Sequence, residues 1–564
     1  MPTLRALCLT LLLPLATLVL LPTSPANADR AEASLNPVAA ASVSAGYNHS
    51  CVVTEQRTVR CWGDGTYGRL GYGNTDRIGD GSTVGAEDAA AAGDVPLGGL
   101  AVAVEAGQEH TCALLTTGAV RCWGRNNYGQ LGYGNTTDIG DDETPASAGD
   151  VPLGGPAKAI SVGTTSTCAL RTSGEVYCWG QGAFGKLGYG DGSSVGDDET
   201  PAEQGPVALG SAAAEVSVGG SHTCVLMPGG TVRCWGQGLH GALGYGNDDG
   251  VTSAAAAGDV PVGGSVVSLS TGGMHTCAVL TTGGVRCWGN GDDGRLGYGD
   301  TDAIGNGTVI GKETPAAAGN VPLGGLARAV SAGSGHTCAI LTTAAVRCWG
   351  YGLYGRPGYA HTNNVGDGTT PGYETPAAAG DVAVGGNALA LNANNHTCAV
   401  LSDATLRCWG HGNAGKLGYG VPVVGIGDNE TPASAGAVPV GAPVRIDAVA
   451  PAAKAKTKLT VKGLPKRDKS APFRFKLKGK LKGSFAHNAT NCKGKVKLKL
   501  KRGNKLVAFV KAPLTKKCTF KKNVKVKPGK LGPSSGKVKI KVQASFGGNN
   551  ALLGSKGRTK VYAR

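Results

Sequence analysis

Fourteen of the chain's 17 cysteines fall into seven pairs of identical spacing. The pairs are Cys51/Cys61, Cys112/Cys122, Cys168/Cys178, Cys224/Cys234, Cys277/Cys287, Cys338/Cys348 and Cys398/Cys408. A tryptophan follows the second cysteine every time: Trp62, Trp123, Trp179, Trp235, Trp288, Trp349 and Trp409, all the tryptophans there are. Further on, each repeat carries Leu-Gly-Tyr-Gly, ending at Gly73, Gly134, Gly190, Gly246, Gly299 and Gly420. The sixth repeat reads Pro357-Gly358-Tyr359-Ala360 instead. First cysteines lie 61, 56, 56, 53, 61 and 60 residues apart, and all the variation comes after the Gly-Tyr-Gly. A surface loop must therefore sit there. A period of this length with glycine turns calls for a propeller or a similar array.

The second repeat shows how a blade is built. Ala101-Val102-Ala103-Val104 reads as a strand, and His110-Thr111-Cys112-Ala113-Leu114-Leu115 as another. Thr116-Thr117-Gly118 makes a hairpin turn, with glycine for the left-handed position, and Val120-Arg121-Cys122-Trp123 returns antiparallel. The turn is centred midway between the cysteines, so the two face each other. Asp150-Val151-Pro152-Leu153 is predicted as a short fourth strand, its proline on an outer edge. Seven such units make a seven-bladed β-propeller. Pro443-Val444-Arg445-Ile446 resembles the opening strand of a repeat but lacks a cysteine hairpin, and is available to close the ring with Ala41 to Ala45.

The succession Ala-Gly, His-Thr-Cys-Ala-Leu, Arg-Cys-Trp-Gly and Gly-x-Leu-Gly-Tyr-Gly over residues 41–450 resembles the repeat of the regulator of chromosome condensation family. That family includes a nuclear nucleotide-exchange factor, ubiquitin-ligase modules and secreted inhibitors of β-lactamase. The resemblance implies a propeller whose faces and loops bind proteins. The paired cysteines depart from the nuclear member's pattern and fit an exported chain.

Charge divides the molecule. The net charge is +16, but residues 451–564 hold 34 basic residues against one acid, Asp468, a net +33, and the remainder carries −17. Two domains with different surfaces are expected. Arg5, the apolar run Ala6 to Leu21 and Ala26-Asn27-Ala28 read as a signal peptide over residues 1–28. A linker at 29–40, the propeller at 41–450 and a lysine-rich domain at 451–564 complete the expected order. The last domain alternates lysine with apolar residues, as in Lys495-Val496-Lys497-Leu498-Lys499-Leu500, and is predicted to form a small immunoglobulin-like β-sandwich. The fold class is thus all-β throughout, and the mature chain is expected to be secreted or held at a cell surface.

Two chemistries compete for the cysteine pairs. Zinc sites need clustered Cys-x2–4-Cys ligands, whereas each pair here is isolated in its own blade. An oxidising compartment favours seven hairpin disulfides, with Cys492 and Cys518 left to form an eighth. Histidines two residues ahead of six of the pairs (His49, His110, His222, His275, His336, His396) are expected to hydrogen-bond between blades. The Asp-Asp-Glu loops at 141–143 and 197–199, like Asp428-Asn429-Glu430, offer oxygen ligands without EF-hand spacing and are read as capped solvent loops. No catalytic constellation, metal or cofactor is assigned; His240, His361 and His411 occur outside the repeat pattern but sit beside glycine turns without a nameable partner.

The expected function is therefore non-enzymatic: a propeller face for an extracellular protein, and a basic domain for an anionic wall polymer, polysaccharide or extracellular DNA. The polyanion candidates are Lys476, Lys478, Lys495, Lys497, Lys499, Lys537, Lys539 and Lys541. A secreted inhibitor of an enzyme such as a β-lactamase is the nearest alternative. A hydrolase or lyase acting on cell wall or polysaccharide is the alternative of another class.

Overall fold

The computed structural model describes residues 42–446 and, beyond them, 458–464, 467–468, 473–482, 495–502, 505–515, 519–527, 538–546 and 555–563. The expected signal peptide at residues 1–28, Cys492, Cys518 and Lys537 lie outside the described residues. Seven antiparallel sheets follow one another along the chain. Blade one comprises an inner strand Val43–Ala45, a middle strand His49–Val53 and a third strand Val59–Gly63. Blade two repeats this as Ala101–Ala106, His110–Leu115 and Val120–Gly124. Each inner strand touches the inner strands of the blades before and after it, and that of blade seven touches that of blade one. The sheets therefore stand round a single axis.

The ring closes as the sequence implies. In blade two Ala101 pairs with Leu115, and after a bulge Ala103 with Leu114. In blade one the equivalent of Ala101 is Val444, which bridges Thr54, while the Arg445 N–H donates to the Val53 carbonyl at 2.9 Å. Val43, Ser44 and Ala45 then pair with Val52, Cys51 and Ser50. The innermost strand of blade one is thus assembled from both ends of the propeller segment.

The predicted fourth strand is corrected. The outer element of a blade is a single bridge just after the Gly-Tyr-Gly turn, Gly63 to Ile78, Gly124 to Ile139 and their equivalents; in blade seven it widens to a strand, Gly425–Ile426. Val151 gives one N–H to the Val120 carbonyl (2.8 Å), and the pairing extends no further. Pro152 has no donor to extend it. In the equivalent Val95-Pro96-Leu97 the leucine N–H folds back onto the Val95 carbonyl at 2.7 Å.

All seven tryptophans are wholly buried between blades. The Trp123 indole donates to the Arg69 carbonyl of blade one (2.9 Å), and Trp179 to the Gln130 carbonyl of blade two (2.9 Å). Trp62 donates to the Lys416 carbonyl of blade seven at 3.0 Å, so the lock crosses the closure. Gly71 makes room for it: a Cβ there would lie 2.7 Å from Trp123 Nε1, and its φ of +83° is in the left-handed region. The neighbouring Tyr72 hydroxyl accepts from the Cys61 N–H at 3.2 Å and donates to the Gly93 carbonyl at 3.1 Å. The Leu-Gly-Tyr-Gly motif is therefore the socket into which the next blade locks. Outside the strands, loops carry four-residue helices such as Pro145–Ala148, capped by Thr144.

Beyond residue 457 the described strands form two sheets, one of three strands and one of five. In Lys495–Arg502 the side chains of Val496, Leu498 and Leu500 are buried while Lys495, Lys497 and Lys499 are exposed. This is the alternation of a half-buried strand, and it agrees with a small sandwich.

Replacing Val444, which is 1% exposed at the closure, by aspartate leaves a buried charge without a partner. We expect a loss of about 3 kcal/mol or more, read by chemical denaturation, with the same change at exposed Val424 costing little. Equal effects at both positions would show that Val444 does not hold the ring closed.

Candidate interaction faces

The cysteines and histidines are structural. The disulfides are Cys51–Cys61, Cys112–Cys122, Cys168–Cys178, Cys224–Cys234, Cys277–Cys287, Cys338–Cys348 and Cys398–Cys408. The partners stand directly opposite one another in the hairpins, Cα atoms 4.1 Å apart in blade one. Each bridge closes a ten-residue separation and contributes about 2–3 kcal/mol by loop-entropy reckoning. The second cysteine of each pair has a further role that its spacing does not reveal. Its backbone N–H donates to the tyrosine hydroxyl of its own blade's socket. Cys178 reaches Tyr189 at 3.1 Å, Cys234 reaches Tyr245 at 3.0 Å and Cys287 reaches Tyr298 at 3.3 Å. Cys348 and Cys408 do the same with Tyr359 and Tyr419, both at 3.4 Å. The half-cystine thus ties the staple of a blade to its socket.

The histidines link blade to blade. His49 Nε2 meets Thr111 Oγ1 at 2.8 Å, His110 meets Thr167 at 2.9 Å, and His396 reaches round to Ser50 at 2.6 Å. Ser166 stands where blade three lacks its histidine, and there the chain of bonds is broken. Burial lowers these imidazoles, His110 to about 3 and His222 to about 4, so they are neutral at pH 7. Disulfide sulfurs and neutral, bonded imidazoles supply no nucleophile.

One face of the ring carries the turns between third strand and outer bridge. Six of the seven turn tips hold a non-glycine residue in the left-handed region, among them Tyr67 (φ 63°), Phe184 (63°), His240 (59°) and Tyr354 (62°). That conformation costs bulky residues about 1–3 kcal/mol each, where glycine would be at ease. Phe184 is 59% exposed and His240 is exposed as well, so packing does not account for these two. Tyr67 lies against Arg125 of the next blade, 4.6 Å from guanidinium to ring centroid, and Tyr354 stacks on His411 at 4.2 Å. Exposed aromatic and arginine side chains on a rigid frame are what protein interfaces concentrate.

Around the axis a ring of side-chain oxygens accepts the inner-strand N–H of the next blade. Asn392 accepts from Ala45 (2.9 Å), Ser44 from Ala106 (2.9 Å), Ser161 from Val218 (3.0 Å), Ser217 from Thr271 (3.0 Å), Ser270 from Ala332 (2.9 Å) and Ser331 from Ala393 (2.9 Å). Blade two puts Glu105 in the seventh place, where the Ser44 hydroxyl donates to its carboxylate at 3.4 Å. With no cation beside it, burial pushes this carboxyl up to about 8. Glu215, one pleat away on blade four, accepts from the Leu269 N–H at 3.2 Å, keeps a buried oxygen without a partner, and is raised to about 7.

The acidic loops do bring their carboxylates together: those of Asp141, Asp142 and Glu143 lie within 4.8 Å of one another, as do those of Asp197, Asp198 and Glu199. Glu199 is raised to about 7 by burial and its hydrogen bond with Asp198. Asp142 and Asp198 are exposed, and the loops end in the helix caps Thr144 and Thr200. His411 turns out to have partners after all, Tyr354 and Lys416; His361 packs edge-on against Tyr373 at 4.3 Å.

In the five-stranded sheet, Lys497 is paired with Lys511 and Lys501 with Lys541, like charges directly across the ladder. Lys539 and Lys541 are exposed, as are Lys495, Lys497 and Lys499. Lys476 and Lys478 fall on the strand Phe473–Lys482 of the other sheet, with Lys478 opposite Lys521; their side chains lie outside the described residues.

A closed ring of seven disulfide-bearing blades, locked by tryptophan and histidine, defines a repeat propeller that displays loops on one face. The Regulator of chromosome condensation (RCC1) repeat model matches residues 40–69, 101–130, 157–186, 213–242, 266–295 and 327–356, and a second model of that repeat matches 117–170 and 173–226. The chain belongs to the RCC1-repeat propeller family, whose propellers are protein-interaction scaffolds. The Ultraviolet-B receptor UVR8 of Arabidopsis thaliana is 27% identical over 389 residues, 68% of this chain and 79% of that protein. The human E3 ubiquitin-protein ligase HERC2 is 28% identical over 271 residues, 46% of this chain but only 5% of the ligase. Yeast RCC1 (Prp20), solved bound to Kap60, has the same fold at a TM-score of 0.51 and 18% identity, over 68% of this chain and 83% of that one.

Glu105 gives a pH prediction. Its folded value of about 8 stands above that of an ordinary carboxyl, so the folded state holds its proton longer than the unfolded state does. Stability from this group is complete at acid pH and is lost as pH rises through 8. Glu105→Gln should be neutral at pH 4 and stabilising by about 2–4 kcal/mol at pH 9. Parallel wild-type and variant denaturation curves across that range would refute the assignment.

Proposed function

We propose that this is an exported, non-enzymatic recognition protein whose propeller binds a protein through the turn-tip face and whose lysine-rich domain holds it to an anionic polymer. One observation carries the first part. Phe184 and His240 are kept in an unfavourable backbone conformation, and exposed, at the tips of one face of a frame stapled seven times. Yeast RCC1, a distant relative in fold, has been solved with a protein bound, which fits the same use. Export is supported by seven disulfides and by the signal-like residues 1–28. No helix among the described residues is long and apolar enough to cross a membrane.

The tether reading rests on charge. A net +33 on the last 114 residues, with lysines opposite lysines in the sheet, is self-repulsive unless an anion intervenes. Lysine ammonium groups are hydrated point charges, so the partner is recognised by charge density rather than by sequence or sugar identity.

Two measurements test these parts separately. Capture from the producing organism's surroundings should yield a protein held by the wild type and lost by a Phe184→Asp, Leu239→Asp, Leu353→Asp variant that melts normally. A ligand retained equally by both would place recognition elsewhere. On an anionic polymer matrix, the full chain should elute only at raised salt. Lys497→Glu, Lys499→Glu, Lys541→Glu should make the log–log salt slope shallower by about two to three. An unchanged slope would make the basic domain a spacer.

A further inference from the structure

The repeat provides its own controls. The residue before each Leu-Gly-Tyr-Gly socket is Arg69, Gln130, Lys186, Ala242, Arg295, Arg356 and Lys416 in blades one to seven. Its carbonyl takes the indole N–H of the next blade at five of the seven junctions, and where its side chain is charged it turns to the face of turn tips. In blade one the Arg69 guanidinium lies 3.5 Å from Asp64 and 4.0 Å from Glu109 of blade two. In blade five Arg295 lies 3.0 Å from Asp293. These two arginines are neutralised by acids, whereas Lys186 of blade three donates to Thr165 Oγ1 at 2.7 Å and Gln181 Oε1 at 3.1 Å.

Blades six and seven are the adjacent pair in which both cations lack an acid. Where blade one has Asp64, blade six has Tyr351 and blade seven His411; where blade two has Glu109, blade seven has Asn395 and blade one Asn48. Among the described residues, neither Arg356 nor Lys416 has a carboxylate at ion-pair distance. Lys416 is wholly buried and donates only to neutral atoms: the Tyr47 carbonyl (3.2 Å), Asn48 Oδ1 (3.3 Å) and His411 Nδ1 (2.9 Å). Arg356 is half-buried. Its Nη2 donates to Asn395 Oδ1, and its Nε is buried without a partner. The guanidinium lies 4.9 Å from the Tyr351 ring centroid. Tyr354 packs on His411, the Asn395 amide donates to the Tyr47 carbonyl at 3.4 Å, and Tyr47 itself is 41% exposed. The nearest acids are engaged elsewhere, Asp293 with Arg295 and Asp64 with Arg69.

Two adjacent cations that are partly or wholly withdrawn from water and lack a counter-ion are costly. Burial lowers both, Lys416 to about 7 with Arg356 adding to the shift. We infer that the corner of this face at blades six, seven and one, with Arg356 at its surface, Lys416 beneath and Tyr47, Tyr351 and Tyr354 around them, binds a carboxylate presented by a partner protein. This rests on the protein-recognition reading and names the anchor within it. A planar guanidinium fork pairs naturally with a carboxylate. The tyrosine rings provide walls for the side-chain methylenes of an aspartate or glutamate. One anion suffices, since only Arg356 meets the solvent directly.

The probe is glutarate, titrated against the full chain at constant ionic strength with chloride as the balancing ion, and thermal unfolding is the readout. A ligand that binds only the folded state raises the melting temperature in a saturable way. We expect such a rise in the wild type and a shift about fivefold smaller or less in Arg356→Gln. Arg233→Gln, which breaks the Arg233–Asp259 pair (2.8 Å) elsewhere in the ring, should keep the full rise and controls for general weakening. If Arg356→Gln does not fold, Arg356→Lys should give an intermediate shift, because the charge stays and the fork is lost. Equal rises in the wild type and the Arg356 variant would assign the effect to the lysine-rich domain and overturn the proposal, as would no rise at all. Inorganic phosphate protecting better than glutarate, through Arg356, would overturn the carboxylate assignment. Failure here leaves the turn-tip capture experiment unaffected, so the two readings fall separately.

Discussion

One backbone carbonyl, that of the residue before Leu-Gly-Tyr-Gly, holds each blade to its successor. At five of the seven junctions it takes the indole N–H of the following blade, as Arg69 does for Trp123 and Lys416 for Trp62. In blades one and two it also takes the hydroxyl that the neighbouring histidine contacts: Thr111 donates to the Arg69 carbonyl and Thr167 to that of Gln130. One acceptor thus satisfies two buried donors from the next blade, and the donor and acceptor recur at fixed positions in the repeat. The first glycine of the motif is required because the tryptophan ring lies directly over it.

The frame was legible because its signals are local and repeated. The midpoint of Cys112 and Cys122 locates the hairpin, and the opening-strand likeness of Val444 locates the closure. The outer element was misplaced for a physical reason. Val151-Pro152-Leu153 has the composition of a strand, but strand pairing needs consecutive donors, and neither proline nor a leucine turned back on its own segment provides them. Ile139, which does pair, is flanked by glycine and acid and carries no strand pattern of its own.

The candidate sites were less legible because they depend on which residue of one blade faces which residue of the next. His411 looked solitary in the sequence, yet it lies against Lys416 five positions on and Tyr354 of the preceding blade. Glu105 is one acid among many until its register places it in a ring of serines at the axis. Left-handed tips at Tyr67 and Phe184 are likewise opaque, since neither residue type favours that conformation. Such departures from local preference are where functional surfaces are expected, because the frame around them supplies the stability they forgo.

The composite inner strand of blade one has a mechanical side. Val444 and Arg445 join that strand by a short run of backbone hydrogen bonds. Any tension on the segment after Ile446 is therefore delivered first to the seam that closes the circle, rather than to one of the disulfide-stapled hairpins. The hairpins would hold under a load that parts the seam, because a covalent bridge does not peel. Under pull the molecule would open as a ring coming unclasped, its seven blades still individually stitched, and slack would return it to the same register.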